Sequence, residues 1–167
     1  MERLWRPWRI NYVNNIESLR DEGCIFCTKP AQDDDRKSLI LYRGDSAFII
    51  MNLYPYNTGH VMIAPYRHVG ELELLDGAEM KELMELTSLA VKASKAEMKP
   101  QGFNVGMNLG QAAGAGFAGH VHVHVVPRWQ GDTNFMPVVG ESKVMPESLE
   151  DTYDRLLKSL QALINTG

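Results

Sequence analysis

The chain has 167 residues, enough for one domain with a sizeable core. Its hydrophobic fraction of 44% and charged fraction of 23% belong to a globular protein and exclude a disordered one. With 17 basic and 21 acidic residues the formal charge is −4, which argues against general affinity for nucleic-acid backbones but leaves room for a pocket that takes a small anion.

MERLWRPWRI at the start is partly basic but leads into no long apolar run, so neither a signal peptide nor a membrane span is expected, and cytoplasmic residence follows. Residues 1–37 read as irregular: aromatics and arginines, then Cys24 and Cys27 in CIFC, then Asp33-Asp34-Asp35, most simply a solvated turn. In a reducing compartment the CxxC spacing favours metal binding or redox chemistry over a structural disulfide. SLILYR (38–43) and SAFIIMN (46–52) read as strands joined by a Gly44-Asp45 turn, and GHVMIAP (59–65) as a third. Asp76 followed by Glu79 resembles a capping box. It opens a helix to about Lys99, with Met80, Leu83, Met84 and Val91 as the apolar stripe and Pro100 as the stop. GFNVGMN (102–108) is the fourth strand and HVHVHVVP (120–127) the fifth, separated by LGQAAGAGFAG, too glycine-rich for regular structure. LEDTYDRLLKSLQALI (149–164) is an amphipathic C-terminal helix. The pattern predicts an α+β domain with a mainly antiparallel five-stranded sheet, one long inserted helix and a C-terminal helix. In this division residues 38–130 form the catalytic core, between the N-terminal segment 1–37 and a C-terminal extension, 131–167.

His120, His122 and His124 alternate with Val121, Val123 and Val125. Side chains alternate faces along a strand, so the three imidazoles share one face and the valines pack the other. Successive rings start ~6–7 Å apart at the backbone, close enough to serve one site. A solvated surface strand fits poorly, because three of only five histidines fall in strict alternation with valine. A catalytic metal held by the histidines fits the spacing. Nucleophilic attack on phosphorus by one neutral imidazole fits it too, if the other ring nitrogen is held by an acceptor. The glycine-rich loop just upstream, whose N–H groups can approach phosphate oxygens, and Pro127-Arg128 just downstream favour the last.

His-x-His-x-His-x-x followed by Pro-Arg resembles the signature of the histidine triad superfamily of nucleotide hydrolases and transferases. The similarity extends upstream to Asn52 and His60 in NLYPYNTGHVMIAP and covers roughly Gly23 to the end. NLYPYNTGH, GFNVGMNLG, HVHVHVVPRWQGDTNF and GESKVMP are similar to one branch, the bacterial diadenosine tetraphosphate phosphorylases of the mycobacterial type. The resemblance implies a HIT-like fold. It makes His122 the nucleophile toward the α-phosphorus of an adenine nucleotide or dinucleoside polyphosphate. His124 and His60 would donate to the non-bridging oxygens. It also implies that Asn52 contacts the ribose, and that Asn108 and the backbone from Gly110 to Gly116, with Gly114 between them, line the phosphate path. The alternatives, less favoured, are that Asn52 caps the turn after it and that His60 is a satisfied buried histidine.

Gly116 departs from the family, where many members carry Gln and the phosphorylase branch often Ser; either a backbone N–H substitutes, or nearby Gln111 reaches in, or the leaving group is handled differently. Other branches hold structural zinc through four positions that match Cys24, Cys27, His68 and His120. The mycobacterial-type phosphorylases lack that set, so here the chain departs from its branch. A redox CxxC or plain buried cysteines are the alternatives. The acceptor is inorganic phosphate, as in a phosphorylase, or water, as in a dinucleoside polyphosphate hydrolase or nucleoside phosphoramidase of the same family. A homodimer or higher homo-oligomer is implied, with Trp5, Trp8 and Trp129 suited to the contact or to packing over their own core. A non-catalytic nucleotide-binding or interaction module is the reading from another class.

Overall fold

A computed structural model describes residues 23–133 and 146–166. Four helices and five strands lie within them: α1 (Ile25–Thr28), α2 (Asp35–Ser38), β1 (Ile40–Arg43), β2 (Ala47–Met51), β3 (Val61–Pro65), α3 (Gly77–Met98), β4 (Gly102–Met107), β5 (Val123–Arg128) and α4 (Leu149–Asn165). The strands form one sheet in the order β1-β2-β3-β5-β4, every neighbour antiparallel. This is the α+β architecture that the element pattern predicts. Trp5, Trp8 and most of GESKVMP lie outside the described residues. No helix among the described residues is long and apolar enough to cross a membrane.

β2 and β3 are central strands buried on both faces, which is why they read as near-continuous apolar runs. α3 and α4 cover one face, where Ile49, Ile63, Val121, Val123 and Val125 meet Leu83, Leu86, Leu156 and Leu160. Each such buried aliphatic side chain contributes roughly 1.5–3 kcal/mol. The opposite face carries Phe48, Ile50, Met62 and Ala64 and receives Phe26 from α1. That face carries the candidate site. β4 forms one edge, and its middle residues are exposed.

The capping box forms at α3: Asp76 accepts from the Glu79 amide at 2.8 Å and Glu79 accepts from the Asp76 amide at 3.0 Å. The stripe on that helix differs from expectation. Met80 and Met84 are 39% and 57% exposed, and the buried positions are Leu83, Leu86, Ala90 and Ala93. Small alanines let the helix lie close to its neighbours, and the methionines fall on its shoulder. Two short helices also replace part of the irregular segment. Asp34 caps α2 by accepting from the Lys37 amide, and Asp35 pairs with Arg43, so the acidic triplet does more than face water. Leu39, in left-handed backbone at φ 61°, ends α2 and delays β1 to Ile40. β5 begins three residues later than expected, at Val123. Before it the Val121 amide bonds the Val69 carbonyl at 2.7 Å, outside the ladder, yet the alternation of faces holds.

Candidate active site and metal cluster

The run into β5 places three imidazoles on the face shared by Met62, which is in register with His124. Nδ1 of His122 lies 2.8 Å from the carbonyl oxygen of His120. A carbonyl only accepts, so Nδ1 carries the proton and Nε2 keeps its lone pair. Burial lowers the His122 pKa below the ordinary histidine value, outweighing the carbonyl bond, and favours the neutral ring. Phe26 lies tilted against that ring with centroids 4.5 Å apart and also meets His120 at 5.2 Å.

A second chain of bonds orients His124. The Tyr56 amide donates to Nδ1 of His60 at 3.0 Å, so the His60 proton sits on Nε2. That nitrogen lies 3.0 Å from Nδ1 of His124, which must accept, and the His124 proton is therefore on its own Nε2. The Tyr56 ring stacks on His60 at 4.8 Å. His60 is fully buried with both nitrogens engaged inside the protein. It stands behind His124 and does not line the cleft over His122.

A cleft of about 440 Å³ opens over His122 and His124, a size that takes a small organic ligand. Ile25, Phe26, Ile50, Met62 and Phe117 give it an apolar wall. Asn52, Asn108, Gly114 and Gly116 line it, whereas Gly110 and Gln111 open onto other depressions, nearer His68. Asn52 Oδ1 also accepts from the Tyr54 amide at 2.9 Å, so it caps the turn and lines the cleft at once. Sequence reasoning missed Phe26 and Tyr56. The aromatic inside CIFC and the aromatics of LYPYNT were the available signals, but neither shows which ring it will touch.

The second constellation is Cys24, Cys27, His68 and His120, whose ligand atoms all lie within 4.8 Å of one another. The sulfur-to-Nδ1 separations are 3.4 Å for Cys24 to His120, 3.3 Å for Cys27 to His68 and 3.6 Å for Cys27 to His120. A tetrahedron with ordinary Zn–S and Zn–N lengths has such edges at roughly 3.5 Å. His120 Nε2 lies 2.8 Å from the Pro65 carbonyl, which fixes its proton there and leaves Nδ1 facing the sulfurs. Burial holds His120 near 4, so the ring is neutral and able to ligate. Burial also pushes the Cys24 thiol, without a metal, up to about 11. Two sulfurs and two imidazole nitrogens at these separations fit a tetrahedral metal ion, and the cluster could hold one.

Comparison with known proteins places this geometry. The HIT domain model matches residues 34–131. An AP-4-A phosphorylase of Mycobacterium tuberculosis is 46% identical over 157 residues, covering 91% of this chain and 80% of its own length. A crystallised zinc-bound histidine triad family protein of Mycobacterium smegmatis superposes with a TM-score of 0.71 at 22% identity, over 87% of this chain and 99% of that one. The diadenosine triphosphate hydrolase of Plasmodium falciparum shares the fold with a TM-score of 0.61 at 18% identity, over 80% of this chain and 79% of that one. With the domain match spanning more than half of its length and the phosphorylase kinship nearly all of it, the chain belongs to the HIT family of histidine triad proteins.

Proposed function

We propose that the chain is a nucleotidyl-transferring enzyme that cleaves dinucleoside polyphosphates through His122, most simply a diadenosine tetraphosphate phosphorylase. The observation that carries this reading is the 2.8 Å bond from His122 Nδ1 to the His120 carbonyl, which leaves Nε2 as a neutral nucleophile at the cleft. The kinship with an AP-4-A phosphorylase supports the substrate. The apolar wall receives the adenine, and Asn52 meets the ribose. The Nε2 lone pair forms a bond to the α-phosphorus while the bridging P–O bond breaks and its electron pair leaves with the polyphosphate. That polyphosphate is a good leaving group near neutral pH. His124, with its proton on Nε2, donates to the non-bridging oxygens where charge grows. His60 acts by holding His124 in that tautomer. Asn108 and the loop at Gly114 and Gly116 line the phosphate path. Inorganic phosphate then attacks the adenylyl-histidine, the N–P bond breaks back onto Nε2, and ADP leaves.

The metal in this reading is zinc, held by Cys24, Cys27, His68 and His120. Four protein ligands close the tetrahedron, so the ion supplies a cross-link between the N-terminal turn and the sheet. Elemental analysis of protein purified without chelator is expected to give one zinc per chain. Cytoplasmic residence and a homodimer or higher homo-oligomer complete the proposal, and light scattering measures the latter. The decisive assay incubates the protein with diadenosine tetraphosphate, with and without phosphate. ATP plus ADP formed only with phosphate is the expected result. ATP plus AMP without phosphate makes water the acceptor and the protein a hydrolase. Tight nucleotide binding without turnover makes it a binding module.

A further inference from the structure

We propose that the groove across the histidine face of the paired strands β4 and β5 receives the leaving polyphosphate with its second nucleoside, and that Gly106 is the residue that makes room for it. This rests on the dinucleotide-cleaving reading above. The strand GFNVGMN alternates two characters. Phe103 and Met107 pack against the core beneath the helices. Gly102, Asn104 and Gly106 are in register with Arg128, Val126 and His124, and so share the histidine face. That face of β4 is paved with glycine and asparagine.

A groove of about 450 Å³ runs along it and shares Tyr56, Asn108 and His124 with the nucleophile cleft. The two cavities therefore meet at the imidazole assigned to the transferred phosphate. A substrate with two nucleosides needs both. The cleft with the apolar wall takes the one that becomes bonded to His122. When the P–O bond to the β-phosphate breaks, a nucleoside triphosphate carries away the electron pair, and it needs its own channel. The chemistry of the groove suits that half. Asn104 Oδ1 accepts from Arg128 Nη1 at 2.6 Å, which leaves the amide N–H donors of Asn104 for phosphate oxygens. Arg128 is itself held by Asp132 at 2.7 Å, so the groove is polar without being strongly cationic.

Gly106 is informative because nothing local requires it. Its φ lies outside the left-handed range, and a Cβ built there meets no atom within 4 Å. Glycine inside a strand costs stability, and it commonly marks a place where a ligand or another backbone comes close. A side chain at this position would stand in the groove beside His124 without disturbing the strand.

The test is Gly106→Leu, assayed on two substrates that share the adenylyl group. Diadenosine tetraphosphate has a nucleotide leaving group, and adenosine 5′-phosphorofluoridate loses only fluoride. The expected result is a fall of about tenfold or more in kcat/KM for the first, with the second held within about twofold. AMP affinity by calorimetry, a measure of the nucleoside cleft alone, is expected to stay at the wild-type value. Equal losses on both substrates, or no loss on either, would overturn the proposal. A change in molecular mass by light scattering together with equal losses would assign the groove to contact between copies of the chain instead. If the wild-type protein cleaves neither substrate, the dinucleotide reading itself fails, a result distinct from any of these.

Discussion

His120 and His122 lie two residues apart on one face of the sheet, and they are held in opposite tautomers. His120 gives its Nε2 proton to the Pro65 carbonyl and turns Nδ1 toward two sulfurs. His122 gives its Nδ1 proton to the His120 carbonyl and keeps Nε2 for the cleft. Both rings are buried, and burial lowers the pKa of both. What separates a candidate ligand from a proposed nucleophile here is the choice of backbone carbonyl. Identical residue types at identical strand spacing therefore acquire different chemistry from hydrogen bonds that no motif spells out.

The contrast can be broken from either end. The largest effect is expected at the nucleophile: His122→Ala should lower diadenosine tetraphosphate cleavage by about 10³-fold or more, with zinc content and the far-ultraviolet circular dichroism spectrum unchanged. At the metal end, Cys24→Ala should abolish bound zinc and lower stability by several kcal/mol, read by denaturant titration. Turnover should fall by only about 10- to 100-fold, because the metal end acts on the nucleophile through position alone. His60→Asn tests the relay from the Tyr56 amide. We expect kcat to drop by about 10- to 100-fold while AMP affinity changes little, since in the proposed reaction His60 acts through His124. The smallest effect belongs to Glu79→Gln. Glu79 pairs with Arg67 at 2.6 Å and also closes the capping box of α3, and neither residue lines the cleft, so this variant weakens the start of that helix and leaves the cleft as it is. It should cost about 1–2 kcal/mol at pH 7 without slowing turnover under saturating zinc. The Arg67 guanidinium holds the Glu79 carboxyl at about 2, below its ordinary 4.5. Its contribution is therefore complete above pH 4.5 and is lost as pH falls toward 2, and Glu79→Gln should flatten that part of the stability curve.

The alternation of His120 to His124 with valine was readable in the sequence because a strand has a period of two, and that period survives even where the ladder does not reach. Of the candidate metal cluster, the CxxC was readable from its spacing, whereas His68 and His120 came from the family resemblance, since nothing in their spacing ties them to the cysteines. The α3 stripe misled: Met80 and Met84 match helical spacing, but spacing cannot tell a core position from one on the shoulder when alanines form the true contact. The retreat of His60 behind His124 was also hidden. It depends on the loop from Asn52 to His60, where the Tyr56 amide claims Nδ1, and such a bond exists only once the loop has closed. Gln111 was near in sequence and yet opens on the other side, because Gly114, in left-handed backbone at φ 88°, turns the loop between them.

The phenyl ring of Phe26 belongs to the CxxC turn and rests on the imidazoles of both His120 and His122. Displacing the thiols therefore displaces the wall against which His122, the proposed nucleophile, leans, and an ångström of error in a reacting group can cost about 10²-fold in rate. Electrophiles and heavy-metal ions that capture Cys24 or Cys27 should act as poisons of the proposed reaction, although no sulfur takes part in it. Substrate bound over His122 should offer little shelter from them, because the damage enters from behind.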